Sequence, residues 1–171
     1  MKKKESFGEL FNRFNLTNIK LKTSFAEADI SFTKADQRAA WDMYVELITR
    51  TATQPLADNF GNEEAALQSV YKLFTITRTI LKEKGREAKN FTKIAIIVLN
   101  QIIRPFTSKW HQKQVDHSFN KSEQCEQFRR ELNELQEKLK CYTKLLADLA
   151  EVEDLTDTSY SQNKIDTVSE Y

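Results

Sequence analysis

Apolar positions along this 171-residue chain recur mostly at helical spacing. Ser6 and Glu9 form a capping box ahead of a short amphipathic helix whose Phe7, Leu10, Phe11 and Phe14 share one face. Residues 18–33 lose that period. Ile19, Leu21, Thr23 and Phe25 alternate with polar positions, as do Ile30 and Phe32, which predicts extended chain and a small two-stranded ribbon. A helix is predicted over 34–54, capped by Thr33 or Asp36 and stopped by Pro55, with Trp41, Tyr44, Val45 and Ile48 facing inward. A polar loop leads to a second helix over 62–84, where Leu67, Val70, Phe74 and Leu81 face the core with Ala66, Leu73 and Ile80 beside them. Gly85 stands where a left-handed cap belongs.

The third helix begins at Asn90 or Thr92, and its apolar residues run nearly all round between Ile94 and Ile103, as expected of a central buried helix. Pro105 removes a backbone donor and crowds the preceding turn. Leu99, Ile102, Ile103, Phe106 and Trp110 nevertheless continue one face past it, so a kink is expected there and not a stop. The fourth helix, 121–152, has Asn120 and Glu123 as its capping pair. Cys125, Phe128, Leu132, Leu135, Leu139, Tyr142, Leu146 and Leu149 alternate spacings of three and four. Leu145, Ala150 and Val152 widen that seam, which favours burial inside a bundle over an exposed zipper. The fold expected is all-α, an up-down four-helix bundle with an irregular or short β-ribbon N-terminal layer. Its parts are residues 1–33 as the N-terminal layer, 34–155 as the bundle and 156–171 as a disordered tail.

Composition agrees with long helices and few turns, since the chain has only 3 Gly and 2 Pro. The tetrapeptide Ile-Thr-Arg-Thr occurs at 48–51 and 76–79, but its flanks do not match and it implies no duplicated fold. No apolar run reaches the roughly 20 residues needed to cross a bilayer, and no signal-peptide core is present. The lysines beside the first phenylalanine stripe allow a membrane-surface anchor, but docking of the stripe on the domain is preferred. Cys125 and Cys141 have no metal spacing, and on one helix they would lie roughly 24 Å apart, too far for a disulfide. A reducing cytoplasm is the expected location.

Net charge is close to zero but unevenly placed. Residues 78–113 hold nine Lys/Arg against two Glu, and 122–158 hold ten Asp/Glu against five Lys/Arg. Either the two segments neutralise each other, or 78–113 presents a basic face to nucleic acid or another phosphate ligand.

Most catalytic signatures are missing. The chain has no Gly-rich phosphate loop, no Cys-x-x-Cys pair and no Glu-x-x-His pair. With His111 and His117 the only histidines, no multi-histidine metal site is expected, and no cofactor is implied. One polar constellation stands out: Asn100, Arg104, Thr107 and His111, spaced four, three and four apart along one face of the third helix. In an up-down bundle Arg50 reaches the same end, together with Glu63, Glu64, Glu123 and Glu126. Arg50, Arg104, Asn100 and Thr107 are therefore candidates either to bind an anion or to staple the bundle end through those carboxylates.

Arg104 and His111, six residues apart, resemble the Arg-x(4–6)-His motif of HEPN domains, helical bundles that often dimerise and cleave RNA without metal. The resemblance implies that Arg104 binds the scissile phosphate and His111 serves in acid–base chemistry. That family commonly carries a polar residue after the arginine, where this chain has Pro105. The segments Ala-Ala-Trp-Asp-Met-Tyr-Val-Glu-Leu and Leu-Asn-Gln-Ile-Ile-Arg-Pro-Phe-Thr-Ser-Lys-Trp-His also resemble small all-helical bacterial proteins of unknown function, over most of residues 18–155. That likeness implies no activity.

The leading expectation is a non-enzymatic helical interaction protein. It would bind a protein partner or a second copy through its helical surface, as an accessory subunit of a bacterial multi-component system such as a defence system. The alternatives are a HEPN-like ribonuclease using Arg104 and His111, and a nucleic-acid-binding bundle using 78–113.

Overall fold

A computed structural model describes residues 5–53, 56, 62–116 and 118–158. Elements run in the order β1 (Glu5–Ser6), α1 (Phe7–Arg13), α2 (Thr23–Ala26), β2 (Asp29–Ile30), α3 (Lys34–Ile48), α4 (Glu63–Lys84), α5 (Lys89–Val98), α6 (Arg104–Val115) and α7 (Ser122–Ala150). A π-helical turn, Leu99–Ile103, joins α5 to α6. Among the described residues the protein is mainly α-helical with one small antiparallel ribbon. That ribbon differs from the expected one: Glu5 pairs with Ile30 and Ser6 with Asp29, while residues 23–26 form a single helical turn.

The N-terminal layer is docked on the bundle. Ser6 and Glu9 make their capping box, and Phe7, Leu10 and Phe11 are buried in the same apolar cluster as the long helices. Arg13 fastens the layer, pairing with Glu5 at 2.7 Å and with Asp148 of α7 at 3.0 Å. No helix among the described residues is long and apolar enough to cross a membrane.

Four long rods form the body: α3, α4, α5 continued through the π turn into α6, and α7. Helix α3 packs chiefly on α7 and also on α4 and α5, while α6 lies between α4 and α7. The fully buried Ala39 and Ala40 carry no bulk beyond Cβ, so α3 can approach its neighbours closely. The inward face of α3 is Asp36, Ala39, Ala40, Met43, Tyr44 and Leu47, a regular i, i+3, i+4, i+7 pattern. Trp41 and Val45, expected to point inward, are exposed. The apolar residues of α3 form two adjacent stripes, and the small-residue stripe took the core. On α4 likewise, Leu67, Val70, Leu73, Thr77 and Ile80 are buried, whereas Phe74 and Leu81 only pack against the core.

Several helix ends depart from expectation. Helix α3 stops at Ile48 and is followed by a 3-10 turn, Thr51–Thr53; Pro55 lies outside the described residues. Gly85 is right-handed, with φ of −64°. A Cβ there would meet the Leu81 carbonyl oxygen at 2.4 Å, so close approach explains the glycine. Positive φ occurs instead at Asn15, 56°, just after α1, and at Glu151, 57°, where α7 ends. The N-cap of α7 is Lys121 with no side-chain bond, not Asn120 paired with Glu123.

The seam of α7 is buried from Phe128 to Leu149, and Cys125 at its start is half-buried. In its second half Tyr142, Thr143, Leu145, Leu146, Ala147 and Leu149 are buried almost all round. That half, more than α5 with its exposed Ile96, is the central element. After α7 the Tyr44 hydroxyl holds the chain, accepting from the Leu155 N–H at 2.9 Å. Thr156–Thr158 form a 3-10 turn with Thr156 buried, so the expected tail does not begin at 156; residues 159–171 lie outside the described residues.

Candidate functional site

The π turn determines which side chains of the third rod share a face. The core residues Phe91 and Trp110 are nineteen positions apart (91 to 110). At about 100° per residue, an unbroken α-helix would set them about 100° apart. A π turn accommodates one extra residue, so the pair behaves as five full turns and both are buried. The Arg104 N–H reaches back to the Leu99 carbonyl across this turn. The helix then runs on through Pro105, which sits in the first turn of α6.

Downstream of the π turn the polar stripe is only partly a surface. Thr107 is buried, and its hydroxyl donates to the carbonyls of Ile103 and Arg104 at 3.3 and 3.1 Å, so it is not an anion ligand. Arg104 and His111 are both exposed. Two turns apart on uninterrupted α6, they lie on one face about 10 Å apart along the axis. Arg104 donates from Nε to Asn100 Oδ1 at 3.0 Å, and its guanidinium lies 5.2 Å from the centre of the Phe74 ring. His111 sits edge-on to Tyr71 at 5.8 Å, and the Tyr71 hydroxyl donates to the Thr107 carbonyl at 3.0 Å. Desolvation raises the Tyr71 phenol above its ordinary pKa, which keeps it a donor.

The expected carboxylate staple does not form around Arg104. Arg50 pairs with Glu46 one turn back on its own helix at 2.5 Å, and Glu63 pairs with Arg129 at 2.7 Å. Among the described residues Arg104 has no carboxylate partner. His117 lies outside the described residues. No cluster of three or more His, Cys, Asp or Glu side chains able to hold a metal occurs among the described residues.

On the other side of α6, Trp110 is fully buried among Phe106, Phe119 and Phe128. Its indole N–H donates to Glu131 Oε2 at 3.0 Å, while Lys109 donates to Glu131 Oε1 at 2.5 Å. Burial pushes the Glu131 carboxyl up, but the hydrogen bonds from Lys109, Trp110 and Gln127 outweigh it and leave it below the usual range. This joins the basic α6 to the acidic α7, so part of the charge asymmetry is internal neutralisation. Both thiols are raised, chiefly by desolvation, and Cys125 already donates to the Phe119 carbonyl at 3.2 Å.

A second surface feature was not expected. Trp41 and Val45 of α3 face Ile76 and Ile80 of α4 across an open groove of about 500 Å³. Trp41 is 46% exposed although it stacks on Tyr44. Asp42, Glu46 and Glu83 also line this groove, and among the described residues no lysine or arginine does. Its signal in the sequence is the second apolar stripe of α3, left over once Ala39, Ala40, Met43 and Leu47 are assigned to the core. No family model, curated protein or solved structure matches this chain.

Proposed function

We propose that the protein is a non-enzymatic helical interaction module, and that the α3–α4 groove is its docking surface. The observation that carries this is Trp41: a large aromatic nearly half exposed, with Val45 beside it, opposite Ile76 and Ile80 in a groove that Thr75 and Thr79 also line. Aromatic residues placed this way commonly supply the anchor energy of protein interfaces. The biological setting proposed is a small accessory subunit of a bacterial multi-component system in a reducing cytoplasm, where two free cysteines are tolerated. The test is affinity capture from host extract with the wild type beside Trp41→Glu. A specific partner retained by the wild type and lost by a folded Trp41→Glu variant is the expected result. A strictly monomeric protein that retains the same proteins in both forms overturns the reading.

One observation favours a second reading, metal-independent RNA cleavage or binding. Arg104 is exposed on the same face as His111 and is not neutralised by a carboxylate among the described residues. Incubation with RNA in EDTA, beside His111→Ala, separates the two. Equal RNA integrity in both samples removes cleavage, and salt-insensitive or absent binding removes nucleic acid altogether.

A further inference from the structure

We infer that the occupant of the α3–α4 groove is a basic amphipathic helix of a partner protein. This rests on the docking reading above and adds the chemistry of the partner. The groove runs along two packed helices, and on α4 it extends from Thr75 to Glu83, about 12 Å. That length takes two to three turns of a helix lying alongside, the geometry in which an apolar stripe at i, i+3/i+4, i+7 seats in a groove. Trp41, Val45 and Ile76 meet that stripe. The partner's charge follows from the rim, where Asp42, Glu46 and Glu83 are the charged residues.

The intrachain cations do not saturate this rim. Arg50 donates from both Nε and Nη2 to a single oxygen of Glu46, leaving Oε1 unbonded. Lys84 takes one oxygen of Asp42. Glu83 has no intrachain partner among the described residues. Lysine or arginine flanking the apolar stripe of an incoming helix would meet these oxygens, while a glutamate there would be repelled. A neutral partner helix gains less from the rim than a basic one, and an acidic helix is opposed by it.

Of the two tryptophans in the chain, Trp110 is fully buried, so Trp41 is a built-in reporter of groove occupancy. The probes are three helical peptides of about 18 residues, long enough to hold a helix. They share one leucine stripe and differ only in carrying Lys, Gln or Glu at the flanking positions. Tryptophan emission of the full chain is followed during titration. The expected order is Lys tightest, then Gln, then Glu, with roughly tenfold between the extremes at low salt and less at high salt. Glu83→Lys is expected to narrow that spread without changing the circular dichroism of the protein.

Equal affinity for all three peptides overturns the charge assignment while leaving the groove as a docking surface. No emission change with any peptide at millimolar concentration overturns both. A Trp41 signal that instead follows protein concentration, with a dimer in sedimentation that Trp41→Glu dissolves, assigns the groove to a second copy and overturns the partner proposed.

Discussion

The carboxylate of Asp36 accepts the backbone N–H of Phe91 at 2.9 Å, tying the first turn of α3 to the first turn of α5. The same oxygen accepts from the Asn90 N–H at 3.0 Å, and the other closes the Thr33 capping box. Asp36 is fully buried, and among the described residues its oxygens are met by N–H and O–H donors at two helix N-termini and not by a lysine or arginine.

Replacing Asp36 with Ala leaves buried donors of both helices unbonded. A loss of about 2–4 kcal/mol is expected in urea unfolding, with α3 and α5 destabilised together. A loss below about 1 kcal/mol contradicts the bridging role assigned to this carboxylate.

Tyr142 presents the opposite case. It is buried in the seam of α7, and among the described residues its hydroxyl has no hydrogen-bond partner. Burial raises the phenol far above its ordinary range, so it stays protonated and unbonded. Tyr142→Phe removes a desolvated polar group at little cost in packing. A gain of about 1 kcal/mol is expected from thermal or urea unfolding, and a loss of that size would mean that the hydroxyl is satisfied.

The helices were legible because their apolar residues recur at helical spacing: the α7 seam follows it throughout, α4 follows it at Leu67 and Val70 but not at Phe74 and Leu81, and α5 stays in phase with α6 only through the extra residue of the π turn. Two things were hidden for physical reasons. The stripe of α3 is too wide, and only packing shows that Ala39 and Ala40, not Trp41 and Val45, face the neighbouring helices. Thr107 reads as a polar candidate, yet a threonine bonding back to its own helix can be buried at little cost. The ribbon strand at Glu5–Ser6 is two residues long, too short to leave an alternating pattern.

Acid stability is expected to depend on Glu131. Its folded carboxyl titrates below the unfolded value, so between the two values the folded state binds fewer protons than the unfolded state. Its contribution is present above about pH 4.3 and is lost as pH falls below that toward the folded value. Glu131→Gln should flatten this part of the stability–pH curve, followed by urea midpoints between about pH 3 and 6. An unchanged slope contradicts the assignment.

The π turn makes a contrast of two deletions informative. Removing Asn100 lets the rod become a continuous α-helix with Phe91 and Trp110 still in phase, so a folded protein with a modestly lower melting temperature is expected. Removing Ser69 from α4 rotates the rest of that helix by about 100° and should abolish cooperative unfolding. Circular dichroism melts of the two distinguish them, and equal damage would show that the π turn is not absorbing a residue.

The pairing of α3 with α7 also has a consequence in time. A ribosome makes α3 and α4 long before α7, the helix against which α3 mainly packs. Met43 is partly covered by Thr77 of α4, but until α7 emerges the side of α3 that packs on it stays open, and apolar surface left open in this way favours aggregation. The largest helix–helix contact of the bundle can therefore close only after its last helix has been made.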